Sequence, residues 1–115
     1  MNLPVAHIDI YYFLNNVLKH KNIDYLWMDT EYAEYETLEM FYKHGPLDKL
    51  GITFCQMNLE VHSADAGQKQ QFQTFLRRIV EEQRYGFFRN DNVGHIRMWL
   101  FNFGSDYCAR KFLWK

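Results

Sequence analysis

The order of apolar patterns in this chain predicts an α/β protein built on an open sheet. Two short apolar runs, residues 25–28 and 52–62, are separated by stretches in which apolar residues recur at helical spacing. After residue 84 the helical spacing gives way to two strand-like runs joined by turn chemistry. Composition is the third observation: 48% of the 115 residues are hydrophobic and 18% aromatic, enough to build a core and far from a disordered profile.

Asp9 can cap a helix running to about Lys19, with Ile10, Phe13, Leu14, Val17 and Leu18 at apolar positions. Residues 25–28, Tyr-Leu-Trp-Met, make a short strand apolar on both faces, as a buried parallel strand should be. Residues 32–44 form the next helix, stopped by Gly45-Pro46. Residues 52–62 are a second strand, and residues 68–83 a helix whose Phe72, Phe75, Leu76, Ile79 and Val80 make one stripe. Strands over 85–89 and 96–103 follow, joined by Asn90-Asp91-Asn92-Val93-Gly94. The order is helix, strand, helix, strand, helix, strand, strand, with no repeat or interdomain linker, and the length allows one domain at most.

Other classes of function find little support. A formal net charge of −1 gives no reason to expect capture of nucleic acid or of an acidic membrane surface. No apolar stretch approaches the roughly 20 residues that span a bilayer, and the first residues show no basic segment leading into an apolar run. Cys55 and Cys108 read as two buried thiols ahead of a disulfide or reactive pair. The five histidines form no H-x-x-x-H spacing and the cysteines no C-x-x-C, so no structural metal is expected. Trp27 and Trp99 are expected in the core and Trp114 as a tail anchor.

Chemistry gathers at residues 28–36, Met-Asp-Thr-Glu-Tyr-Ala-Glu-Tyr-Glu, an acidic cluster where the first strand gives way to a helix. Open α/β sheets place their ligands at such junctions. Asp29 and Glu31 emerge at the strand's carboxyl end, and alternation puts Gln56, Asn58, Glu60 and His62 on one face of the second strand. Parallel pairing would bring these groups to one rim, where acid, amide and imidazole could orient a hydroxyl, supply a general base or hold a divalent cation. Plainer readings stand beside this one. Asp29 and Glu31 can cap the following helix, Glu36 can be a solvated face residue, and His62 an ordinary hydrogen-bonded histidine.

The spacing Asp29-x-Glu31-x-x-Glu34, preceded by Ile23-Asp24-Tyr25-Leu26 and followed by Leu38, resembles the D-x-E-G-x-E signature of FkbM-type S-adenosylmethionine-dependent O-methyltransferases. Phe54-Cys55-Gln56-Met57-Asn58-Leu59-Glu60-Val61-His62 looks like the next strand of the family's nematode-type branch. Residues 96–111, ending in Cys108-x-x-Lys111-Phe112, look like its closing strand and tail. The resemblance runs from about Asp9 to Phe112. It implies the back half of a Rossmann-like class I methyltransferase sheet, with an antiparallel last strand. It further implies methyl transfer from S-adenosylmethionine to an oxygen acceptor, a small-molecule or glycan hydroxyl. Asp29, Glu31 and Glu34 would be catalytic, and Asn58, Glu60 and His62 would bind substrate.

A Rossmann-like donor site needs a Gly-rich turn after a strand and an acidic residue about 20 positions on. The six glycines, at 45, 51, 67, 86, 94 and 104, include no G-x-G pair. The expectation is therefore a single truncated domain over 1–115 that lacks the cofactor-binding half, binds S-adenosylmethionine poorly and is inactive alone. Tyr32 stands at the family's glycine, where it would enter the pocket or reshape the turn, and both argue for altered or lost activity. In such a half-domain the outer edge of the first strand would be unpaired. The alternative reading is thus a non-enzymatic module that associates, with itself or with another chain, through an open sheet edge.

Overall fold

A computed structural model of the chain describes residues 9–28, 38–61, 65–92 and 96–114. Asp9 caps helix α1 (Ile10–Tyr12), its carboxylate accepting from the backbone N–H groups of Tyr11 and Tyr12 at 3.0 and 3.1 Å. The helix widens into a π-helical turn, Phe13–Leu18, and closes at Lys19 in the left-handed region (φ 58°). Strand β1 (Asn22–Met28) begins three residues before the expected 25–28. Where the segment expected as a helix over 32–44 is described, it is a single 3₁₀ turn, Leu38–Phe41, with Leu38, Met40 and Phe41 buried.

Gly45-Pro46 starts a helix instead of ending one. Proline at the first helical position loses no hydrogen bond, because that N–H has no intrahelical partner, and its fixed φ suits the turn. Helix α2 (Pro46–Leu50) follows and ends at Gly51 (φ 71°). Gly45 itself has no room for a side chain, since a Cβ there would lie 2.9 Å from the Tyr42 carbonyl oxygen. Strand β2 (Thr53–Val61) leads to helix α3 (Ala66–Glu82). A capping box opens α3: the Asp65 carboxylate accepts from the Gln68 N–H at 2.8 Å, and the Gln68 side chain accepts from the Asp65 N–H at 3.1 Å. Strands β3 (Tyr85–Asn92) and β4 (Ile96–Asn102) come next. A last helix, α4 (Asp106–Phe112), capped by Ser105, occupies the stretch read from the sequence as a tail.

The four strands form one mixed sheet in the order β1-β2-β4-β3. β1 and β2 are parallel, while β4 is antiparallel to both of its neighbours, β2 and β3. One face carries the main core. Met57 and Leu59 of β2 and Met98 and Leu100 of β4 pack with Phe75 and Ile79 of α3 and with Phe41, Phe54 and Tyr85. Phe41 lies at the centre of this layer, with ring centroids 6.0 Å from Phe54, 6.4 Å from Phe75 and 6.5 Å from Tyr85.

The opposite face is covered differently. A disulfide between Cys55 of β2 and Cys108 of α4 fastens the last helix there, around a small cluster with Phe101. This corrects the expectation of two separate thiols: both sulfurs are buried, as expected, but residues 53 positions apart meet because α4 folds back on the sheet. Asp24 of β1 ties the same helix down, accepting from the Tyr107 hydroxyl at 2.8 Å and pairing with Lys111. Because α4 is only seven residues long, it covers only part of this face. β1 is consequently not buried on both sides. Trp27 is 60% exposed and Tyr25 is exposed beside it, so Trp27 is no core residue. Trp114 is likewise exposed, as is Val80 at the margin of the α3 stripe, whereas Trp99 is partly buried against the disulfide cluster.

Candidate functional site

The carboxyl ends of β1 and β2 lie side by side. Met28, the last residue of β1, is the register partner of Leu59, the residue before Glu60, and in the chain Asp29 follows Met28 directly. Asp29, Glu31, Glu34 and His62, four of the six residues singled out from the sequence, lie outside the described residues, as does Tyr32. The other two, Asn58 and Glu60, stand two positions apart on β2.

Glu60 is only 6% exposed and is held by Arg97, its register partner on β4, with Nε to Oε1 at 2.9 Å. A carboxylate so placed needs the guanidinium, since an uncompensated buried charge is strongly destabilising. Arg97 itself is half in solvent, which moderates that cost. The pair presents a fixed acceptor and a fixed cation at the end of the sheet where β1 terminates. The Asn58 amide donates to the Tyr25 hydroxyl across the β1–β2 pair, so its NH₂ is committed to a contact between strands. The structure thus joins Asn58, Tyr25, Glu60 and Arg97 in one stretch of sheet. Arg97 and Tyr25 were missed from the sequence, because neither belongs to a motif and only the strand register brings them to their partners.

Two concave surfaces lie near by. One, of about 350 Å³, runs between the 3₁₀ turn and α3 and is lined by Glu39, Tyr42, Gln70, Gln71, Thr74 and Arg78 among others. Arg78 lies 4.1 Å over the Tyr42 ring and pairs with Glu82 at 3.3 Å. Burial raises the Tyr42 hydroxyl pKa, and the nearby guanidinium partly offsets this. The other, of about 330 Å³, is an aromatic groove on the face that carries α4, where Gln56 is the one polar residue among Phe88, Trp99, Phe101, Phe103, Phe112 and Leu113. The sequence held a signal for it, since Trp99, Phe101 and Phe103 recur with the period of two that marks one face of a strand.

Away from the rim the charged groups serve the fold. Arg84 donates to both oxygens of Asp48 at 2.8 and 2.9 Å and to the Phe41 carbonyl at 2.6 Å. Burial pushes the adjacent Tyr85 hydroxyl up to about 12. Hydrogen bonds from Lys111 and Tyr107 hold the Asp24 carboxyl below its usual range, and the Asp24 carboxylate in turn raises Lys111. Among the described residues no three His, Cys, Asp or Glu side chains converge as metal ligands, and no helix is long and apolar enough to cross a membrane.

Comparison with the curated proteins and with the solved structures finds no match. A family model does match: the one described as Methyltransferase FkbM domain, over residues 1–107. That span takes in all four strands and α1 to α3, together with the acidic motif at 29–34 and the Asn58–Glu60 stretch of β2. On that match, this chain belongs to the FkbM-domain methyltransferase family.

Proposed function

We propose that this chain supplies the acceptor side of a methyl transfer from S-adenosylmethionine to an oxygen acceptor, a hydroxyl of a small molecule or glycan, and that it does not turn over alone. The observation that carries this reading is the junction of the family's acidic motif with the parallel ends of β1 and β2: Met28 pairs with Leu59, so the chain enters Asp29 and Glu60 at neighbouring strand ends. The strand order supports it as well. Two parallel strands followed by a pair in which only β4 is reversed is the arrangement expected for the back half of a Rossmann-like class I methyltransferase sheet.

The chain's own part in such a reaction is to hold the acceptor hydroxyl in line and to take its proton. Asp29, Glu31 and Glu34 are the carboxylates that the motif assigns to those tasks. Glu60, fixed by Arg97, is a hydrogen-bond acceptor for a neighbouring hydroxyl, with His62 and Asn58 as supporting members. Residues for the donor do not fit. No paired glycines follow a strand in these 115 residues, and Gly67, which opens α3 after β2, stands alone. S-adenosylmethionine, when bound, would bring an electrophilic methyl group, but the turn that cradles such a cofactor has no counterpart here.

Backbone amide shifts of the labelled chain, followed while methyl β-galactopyranoside is added as a polyhydroxylated probe, test the acceptor assignment. Shifts centred on residues 58–60 that weaken in Asp29→Asn and Glu31→Gln are expected. No change there, or changes confined to the cleft between the 3₁₀ turn and α3, would sink it.

A further inference from the structure

Cross-strand register builds two rows on the face that carries α4. Trp27, Asn58, Trp99 and Phe88 form one, and Tyr25, Gln56, Phe101 and Gly86 the other. The rings are in mutual contact, with Phe88 and Trp99 at 5.0 Å, Phe101 and Phe103 at 5.0 Å, and Phe88 and Phe103 at 6.0 Å. Gly86 is part of this surface, because a Cβ there would meet the Phe103 ring at 2.7 Å. Much of the surface faces solvent. Tyr25, Trp27, Phe88 and Phe103, with Tyr107, Leu113 and Trp114 on and just after α4, are each between 39% and 62% exposed.

We propose that this face is the interface of a twofold dimer of the chain, the two sheets packing face to face with the two α4 helices side by side between them. Area is the first argument. At roughly 200 Å² for a large side chain, the seven residues expose on the order of 700 Å², close to the roughly 800 Å² that each partner buries in a stable interface. A single soluble chain rarely carries so large an apolar patch. Shape is the second. The short α4 covers one part of its own face, so a twofold axis lays each copy's helix over the part the other leaves open. Charge is the third. Two ion pairs among the described residues border the patch and are already made within one copy, Asp24 with Lys111 and Glu60 with Arg97. At its centre an Asn58 N–H donates to the Tyr25 hydroxyl, so closing the interface breaks neither those ion pairs nor that hydrogen bond.

This inference goes beyond the methyl-transfer reading; its patch takes in Tyr25 and Asn58 and borders Glu60 and Arg97, so the dimer covers part of the acceptor stretch, and sedimentation reads the dimer without reference to methyl transfer. Sedimentation equilibrium of the whole chain in its oxidised form is its test. The wild type is expected to be a dimer in the micromolar range, with Trp27→Asp and Phe103→Asp each raising the dissociation constant at least about 30-fold, as loss of a central aromatic anchor does. Val80→Asp, on the exposed side of α3, should leave the dimer intact. Far-ultraviolet dichroism and the melting transition verify that each variant folds, and Phe88→Ser replaces any that does not. A monomeric wild type overturns the proposal. So does an assembly that grows past the dimer and survives Trp27→Asp, which would place the contact at the outer edge of β1.

Discussion

Arg84 joins pieces that local sequence leaves separate. Its guanidinium grips Asp48 of α2, caps the Phe41 carbonyl at the end of the 3₁₀ turn, and lies 5.0 Å over the Tyr85 ring at the start of β3. Only a planar fork makes all three contacts together. Arg84→Ala is expected to destabilise the chain by about 2–4 kcal/mol in urea unfolding, with Arg84→Lys recovering less than half of the loss. A lysine variant as stable as the wild type would contradict that reading. Tyr85 supplies a second prediction at this scale. Its pKa is raised by burial from 10.0 to about 12, so the folded state resists ionisation while the unfolded chain ionises. For a raised pKa the stability is fully present below the unfolded value and is lost as pH climbs towards the folded one. Stability should therefore fall between pH 10 and about 12, by about 2–3 kcal/mol in all, at 1.36 kcal/mol per unit. Tyr85→Phe should flatten that part of the profile, and an unchanged slope in the variant would show that another group is responsible.

Among the elements, α4 depends most on a single bond. Its seven residues are too few for a stable helix alone, and the Cys55–Cys108 disulfide, with Asp24 holding Tyr107 and Lys111, keeps it on the sheet. Closing a loop of 53 residues stabilises a fold by about 4 kcal/mol in the chain-entropy account. Reduction of the wild-type chain is expected to lower the unfolding free energy by an amount of that order and to expose α4 to proteolysis first. An unfolding midpoint that is the same with and without reductant would count against it. This helix was not legible in the sequence, since its amphipathic stretch is under two turns and its anchoring partner is distant in the chain. Longer elements were legible because their signals are local. Asp9 announces one helix start, the apolar stripe announces α3, whose expected start at 68 falls two residues inside the observed Ala66, and the period of two in β2 and β4 announces strands. Gly45-Pro46 misled because the same dipeptide that stops one helix can open the next. β1 misled because its run of apolar residues says nothing about whether anything covers its second face.

At the level of the whole molecule, the sheet is finished on one side and open on the other. Helix α3, α2 and the 3₁₀ turn bury one face, while α4 covers only part of the opposite one. At the outer edge of β1 no described strand adds to the sheet. The family match is to the FkbM methyltransferase domain, and the sheet is mixed, with β4 reversed between β2 and β3; the acidic motif follows Met28 in the chain but lies outside the described residues. Of the six residues singled out from the sequence, Asn58 and Glu60 lie among the described residues. Their partners, Tyr25 and Arg97, emerged from strand register, which a single sequence does not contain. On the proposed reading these 115 residues carry an acceptor rim without a donor site, and calorimetric titration of the chain with S-adenosylmethionine decides it. No saturation below about 1 mM is expected, whereas a dissociation constant under about 10 μM would reveal a complete donor site and overturn that reading.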